Sequence, residues 1–124
     1  MAIITQLHPA PSEGAILSKA GFRAAKALGL SQKTLGDVIG VSSATVSRMK
    51  DGGFALNGKP FELASYLIRI YRSLDAIVGG DRAAMKSWMA ANNRDLRGVP
   101  KGLVVNSAGL INVMNYLDAQ RAPL

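Results

Sequence analysis

Gln32-Lys33-Thr34-Leu35-Gly36-Asp37-Val38-Ile39-Gly40-Val41-Ser42-Ser43-Ala44-Thr45-Val46-Ser47-Arg48-Met49 is the stretch whose reading decides the fold. Two short helices that cross steeply over a turn of three or four residues need a small side chain at their closest approach and a permissive backbone in the turn. Gly36 and Gly40 stand at those two places. Ser31 caps the first of the pair, which runs to about Ile39. Ser42 or Ser43 caps the second, which runs to about Lys50. Leu35, Ile39, Val41, Val46 and Met49 supply an apolar frame that locks the pair to the helices before and after it. The second helix is polar at Ser42, Ser43, Thr45, Ser47, Arg48 and Lys50. That face suits entry into a major groove. A plain helical hairpin shares the turn glycine but does not require the small residue, the apolar frame and the polar face together.

Outward from this motif the chain reads as helices throughout. Residues 1–11 form an arm, in which His8-Pro9-Ala10-Pro11 stops any helix. Ser12 caps a first helix with Ile16, Ala20, Ala24, Ala27 and Leu28 at helical spacing, ended by Gly29. After the motif, Asp51-Gly52-Gly53 is a turn, residues 54–59 a loop, and Pro60 belongs to the first turn of a fourth helix. Its stripe is Ala64, Leu67, Tyr71, Leu74 and Val78, and Gly79-Gly80 ends it. Asp81 caps a fifth helix with Met85, Trp88 and Met89 as packing residues, closed by Asn92-Asn93. Residues 94–105 are a loop with a turn at Gly98-Val99-Pro100. Asn106 or Ser107 caps a last helix with Leu110, Val113, Met114 and Leu117 on one stripe. The fold class is therefore all-α: an arm (1–11), a helix-turn-helix region (12–60) and a small helical domain (61–124).

Composition narrows the function. The 124 residues carry a net charge of +7, with Lys19, Arg23, Lys26, Lys33, Arg48 and Lys50 set against the single acid Asp37 over residues 19–50. Such a balance favours a polyanionic partner, because each neutralised phosphate releases counterions. Without cysteine there is no disulfide, thiolate metal site or cysteine nucleophile, and one histidine, His8, cannot build a metal site. The carboxylates, among them Glu13, Asp37, Glu62, Asp75, Asp81, Asp95 and Asp118, are scattered, and no Ser-His-acid set assembles. No catalytic residue, metal or cofactor is expected. Gly53-Phe54-Ala55-Leu56-Asn57-Gly58-Lys59 has the spacing of a phosphate-binding loop, but Pro60 stands where a Ser or Thr is needed and a helix, not a strand, precedes it. Residues 61–78, the most apolar region, are broken by Glu62, Arg69, Arg72 and Asp75, short of the roughly 18 apolar residues of a membrane span. The first residues lack the pattern of a signal peptide, and a cytoplasmic location is expected.

The segment from Ala15 to Tyr71 resembles the Xre and Cro family of helix-turn-helix repressors. That resemblance implies operator DNA as a partner, phosphate contacts from Gln32 and Lys33, and a groove-facing set of Ser42, Ser43, Thr45, Ser47 and Arg48, with Lys50 also counted among the DNA-binding residues. Arg48 either reads guanine through its bidentate fork or contacts phosphate. Residues 68–121 resemble the toxin-binding domain of Xre/MbcA/ParS antitoxins, on the ordered series Trp88, Asn92, Leu96, Gly98, Pro100, Leu103, Gly109, Val113 and Leu117. At its end the chain departs from that pattern, reading Gln120-Arg121-Ala122-Pro123-Leu124 where a Gly or acidic residue is usual. The resemblance implies an antitoxin that neutralises a RES-type toxin, which consumes NAD or transfers ADP-ribose from it, and that represses its own promoter. It also implies a homodimer or a higher hetero-oligomer with the toxin. The last helix and tail would present Asn112, Asn115, Tyr116, Arg121 and Leu124 to that toxin, Arg121 toward a carboxylate; Tyr116 reads equally as a half-buried helix residue. Two other functions fit the residues: a stand-alone repressor whose second half dimerises, and an interaction module that has lost DNA binding.

Overall fold

The computed structural model describes residues 12–121; the expected N-terminal arm with His8, and Leu124, lie outside the described residues. Seven helices follow one another among the described residues: α1 (Glu13–Ala27), α2 (Gln32–Ile39), α3 (Ser43–Asp51), α4 (Gly58–Ile77), α5 (Arg82–Ala90), α6 (Pro100–Leu103) and α7 (Ser107–Arg121). Ser12 and Ser31 act as the expected caps, and of the pair Ser42 and Ser43 it is Ser42 that does so. Ser12, Ser31 and Ser42 accept from the backbone N–H of Ala15, Thr34 and Thr45, and Asp81 accepts from that of Ala84. Each answers one of the N–H groups that a helix start leaves without an internal partner. Asn106, rather than Ser107, serves α7: its Oδ1 accepts from Gly109 N–H at 2.8 Å.

The spine is α4. It packs against α1 along one side and α7 along another, so it buries more than the five-residue stripe read from its sequence. Leu63, Ile68, Ile70 and Ser73 are buried beside Ala64, Leu67 and Leu74, while Tyr71 and Val78 are half-buried. One continuous apolar core runs from Ala25 through Leu35, Ile39, Val46 and Met49 to Met85, Leu110 and Leu117. The α1 stripe differs from the expected one. Ile16 is 58% exposed, and the inward residues are Ser18, Gly21, Ala24, Ala25 and Leu28. Small residues dominate because α1 lies close to α4: a Cβ on Gly21 would sit 3.7 Å from that of Ala64. Buried Ser18 uses its Oγ to accept from Leu56 N–H at 3.3 Å, and the Gly14 carbonyl accepts from the same N–H at 3.2 Å. These bonds pin residues 54–57 under α1, so the stretch with phosphate-loop spacing is a connector with Leu56 buried at its centre.

Three other boundaries shift. α3 runs on to Asp51, and α4 starts at Gly58, ahead of Pro60. α5 ends at Ala90, before Asn92-Asn93. Residues 94–105 are not all loop, since Pro100–Leu103 form the single turn α6. Asn93 and Gly98 exchange backbone hydrogen bonds (2.8 and 3.2 Å), closing a tight loop that holds Arg97 at φ 58°. Trp88 packs at the edge of the core and is half-buried, whereas its neighbours Met85 and Met89 are fully enclosed.

The α2–α3 pair has the expected crossing. Gly40 adopts φ 75°, ψ 40° and closes α2, its N–H bonding to the Gly36 carbonyl. A Cβ on Gly36 would approach the Val41 carbonyl oxygen to 2.8 Å and Val46 Cγ2 to 3.5 Å. The two glycines are needed for different reasons, and their substitutions separate them. Gly36→Ala drives a Cβ against the Val41 carbonyl, so the turn must shift, and should cost about 1–3 kcal/mol. Gly40→Ala meets no atom but holds a left-handed backbone, at about 1 kcal/mol. Urea unfolding should show a lowered midpoint with unchanged slope for both, the larger loss at Gly36; a neutral Gly36→Ala would contradict the close approach.

Candidate nucleic-acid and partner interfaces

α2 and α3 are held from behind. Leu35, Val38, Ile39, Val46 and Met49 are buried, and Val41 is half-buried. The other face of α3 points away from the protein: Ser42, Ser43, Ser47, Arg48 and Lys50 are exposed, and Thr45 is half-buried. Their hydroxyls are not equivalent. Ser42 Oγ accepts from Thr45 N–H at 3.2 Å and bonds Thr45 Oγ1 at 3.1 Å, so both belong to the cap. Ser43, Ser47 and Arg48 have no such commitment among the described residues. Gln32 and Lys33 occupy the first turn of α2, both exposed. Lys33 Nζ pairs with Asp37 Oδ2 at 3.1 Å, but both side chains are largely solvated, at 82% and 55% exposure. Exposed pairs are weak and readily exchanged, so a phosphate at the α2 N-terminus can compete for that lysine. Of the eight sequence-selected residues seven are exposed and Thr45 is half-buried, and Gln32 and Lys50 line one hollow that brings the start of α2 beside the end of α3.

The five residues selected at the other end are not gathered in this way. Asn112 and Asn115 are exposed on α7. Tyr116 is half-buried: its hydroxyl donates to Asp95 Oδ2 at 2.8 Å and its ring stacks on Trp88, centroids 6.4 Å apart and planes at 21°. Tyr116 therefore ties the 93–98 loop and α5 to α7. The Asp95 hydrogen bond, followed by partial burial, holds the Tyr116 phenol above the ordinary tyrosine pKa. Arg121 lies about two and a half turns along α7 from Asn112, on the opposite side. There Arg121 Nη1 donates to Ser73 Oγ at 3.3 Å. Ser73 Oγ donates to Asp118 Oδ1 at 3.1 Å, and Asp118 Oδ2 accepts from Arg69 Nη2 at 2.8 Å. Leu124 lies outside the described residues.

Sequence reasoning did not find Asp95, Ser73, Asp118 or Arg69 as partners. Tyr116 and Asp95 are 21 residues apart and Ser73 and Asp118 are 45 apart, with no local pattern to link them. No group of three or more potential metal ligands occurs among the described residues. No helix there is long and apolar enough to cross a membrane.

A helix-turn-helix pair with the outer face of its second helix exposed, followed by further helices on a shared spine, defines the helix-turn-helix class of fold. Residues 8–69 match the antitoxin Xre-like helix-turn-helix domain, and residues 73–122 match the antitoxin Xre/MbcA/ParS C-terminal toxin-binding domain. The chain belongs to the Xre-like antitoxin family, and its second half is an antitoxin toxin-binding domain. No curated protein matches the sequence.

The Tyr116–Asp95 bond makes a prediction about pH. A phenol with a raised folded-state pKa contributes stability that is complete below the unfolded value of about 10 and is lost as pH rises through the folded value. Asp95→Ala should therefore lower the Tyr116 titration midpoint, read by NMR, and destabilise the protein at neutral pH more than at strongly alkaline pH. An unchanged Tyr116 midpoint in Asp95→Ala would show that the bond is absent in solution.

Proposed function

We propose that this antitoxin neutralises a co-encoded RES-type toxin, one that consumes NAD or transfers ADP-ribose from it, and represses its own promoter by binding operator DNA. The observation that carries the DNA half is the outward face of α3: Ser43, Ser47, Arg48 and Lys50 are exposed and backed by a fully apolar inner face. Arg48 reads a guanine edge, Ser43 and Ser47 line the groove without crowding it, and Gln32, Lys33 and Lys50 hold phosphates. Ser42 and Thr45 set the angle of α3 at the groove. Antitoxin copies pair on DNA, as a homodimer or within a larger assembly with the toxin, so that two α3 helices meet successive major grooves.

The toxin half rests on the toxin-binding domain matched over residues 73–122. The RES assignment rests on the resemblance of residues 68–121 and the partner it implies. Asn112 and Asn115 offer paired donors and acceptors from the open side of α7, with Ile111, 37% exposed, beside them. Tyr116 and Arg121 present their outer edges, and Leu124, outside the described residues, is assigned to the same contact from the sequence. The protein acts by binding and not by catalysis: it occludes the toxin.

Co-expression with the neighbouring toxin gene tests the assignment. The unmodified chain should restore growth and co-purify with the toxin, whereas Asn112→Asp/Asn115→Asp should weaken both while leaving the fold intact by circular dichroism. A neighbouring protein that is neither toxic nor retained on the antitoxin would leave a stand-alone repressor. On DNA, Arg48→Ala should reduce preference for the promoter over scrambled duplex by about fivefold to 150-fold, corresponding to roughly 1–3 kcal/mol for a bidentate base contact. Uniform weakening on both duplexes would reassign Arg48 to phosphate.

A further inference from the structure

A trough of about 510 Å³ runs between α1, α4 and α5. Its floor is apolar and made of small or short side chains, Ala20, Ala24, Ala27 and Ile68. Its rim carries Arg23 and Lys26 from α1, Arg72 from α4, and Arg82 and Lys86 from α5, with no acidic residue among the lining side chains. All five bases are exposed, and none of them forms an ion pair among the described residues. Like charges brought together without acids repel one another, so the arrangement gains when an anion arrives. One of the five is also fixed in place: Arg82 Nη2 donates to Tyr71 Oη at 2.7 Å, and its guanidinium lies 5.0 Å from the Tyr71 ring centroid. That contact orders the arginine without neutralising its charge.

The position of the trough points to its partner. A Cβ on Gly29 would sit 3.4 Å from Lys86 Cγ, so this α5 lysine lies across the corner between α1 and α2, two residues before the Ser31 cap. Lys26 lines the trough and also a second hollow, whose wall includes Ser31 and Gln32 at the start of α2 and Lys50 at the end of α3. A line of positive charge therefore leads from the end of the recognition helix through Lys26 to the bases of α5, which belong to the toxin-binding half. A duplex lying on α3 and the α2 N-terminus would continue along that line.

We propose that this trough is a second nucleic-acid contact, in which Arg23, Lys26, Arg72, Arg82 and Lys86 take phosphates of the duplex flanking the operator. The toxin-binding half thereby takes part in holding DNA. The contact is independent of sequence, because cations on a phosphate backbone read charge and spacing and not bases. It rests on the reading that α2 and α3 bind DNA, and its failure can be told apart from the failure of that reading.

The test measures affinity against salt concentration for the full chain on its own promoter duplex and on a scrambled duplex of the same length. Each phosphate contact contributes about 0.9 to the slope of log affinity against log salt. Arg82→Ala/Lys86→Ala should reduce the slope by about 2 on both duplexes while leaving the preference between them unchanged. Between 50 and 200 mM salt, the advantage of the unmodified protein over this variant should fall about tenfold. Arg82→Lys/Lys86→Arg, which keeps both charges, should keep the slope, and Arg94→Ala/Lys101→Ala, which removes two exposed bases outside the trough, should also leave it unchanged. A parental slope in Arg82→Ala/Lys86→Ala overturns the proposal while the recognition-helix reading stands. The same parental slope with weakened toxin capture would assign the trough to the protein partner instead. Absence of salt-dependent binding by the unmodified chain overturns both readings.

Discussion

The approach of α2 to α3, set by a missing side chain at Gly36, is the constraint on which the rest of the structure depends. A Cβ there would lie 2.8 Å from the Val41 carbonyl oxygen of the turn and 3.5 Å from Val46 Cγ2 of α3, so the turn folds back onto α2 with no room for a side chain. That closeness lets Leu35, Ile39, Val46 and Met49 reach a common core from two short helices that could not stand alone. It also sets the tilt of α3. The residues that must be exposed for a groove, Ser43, Ser47 and Arg48, are outward because Val46 and Met49 are held completely inward. The proposed recognition face and the core face are opposite sides of the same nine-residue helix.

The long helix α4 turns this motif into a larger unit. Its early turns bury Leu63, Ala64 and Leu67, and its later turns bury Ile70 and Leu74, all in one apolar core that extends from α1 to α7. The two matched family domains meet within it, the first ending at residue 69 and the second starting at 73. No linker separates them there, because the helix is unbroken from Gly58 to Ile77. The side of the protein that bears α3 and the side that bears α7 are thus joined by a continuous rod of backbone hydrogen bonds, and both are packed on it. Polar cross-links reinforce the far end, where Ser73 and Arg69 of α4 meet Asp118 and Arg121 of α7.

Charge is distributed on this frame in a way that the bare sum of +7 does not convey. Arg69 is matched by Asp118, Lys59 by Glu62 and Lys33 by Asp37. The bases of the α1–α4–α5 trough, with Arg48 and Lys50 on α3, have no carboxylate in ion-pair range among the described residues. Seven of the twelve bases without an ion pair among the described residues lie on α3 or line the adjacent trough; the others are Lys19, Arg94, Arg97, Lys101 and Arg121.

The helices themselves were legible in the sequence. Serine caps, left-handed glycines and three-four spacing act within a few residues, so Ser12, Ser31, Gly29 and Gly40 could be assigned, and the α3 cap narrowed to Ser42 or Ser43, without any tertiary knowledge. The small residue at Gly36, four before the turn glycine Gly40, and the polar face of α3, opposite Val46 and Met49 at helical spacing, were legible for the same reason. What lay beyond sequence was every choice that depends on which neighbour arrives. Ile16 is spaced for burial yet exposed, since α1 meets α4 through Gly21 and Ala24 instead. Tyr116 and Arg121 sit on one exposed-looking helix, but Asp95, Trp88 and Ser73 approach from distant segments and engage them. The basic trough exists only once three helices bring their bases to one rim. Local hydrogen bonding determines where a helix starts and stops, but the environment of a side chain is created by packing between residues far apart in the chain, and no local pattern encodes it.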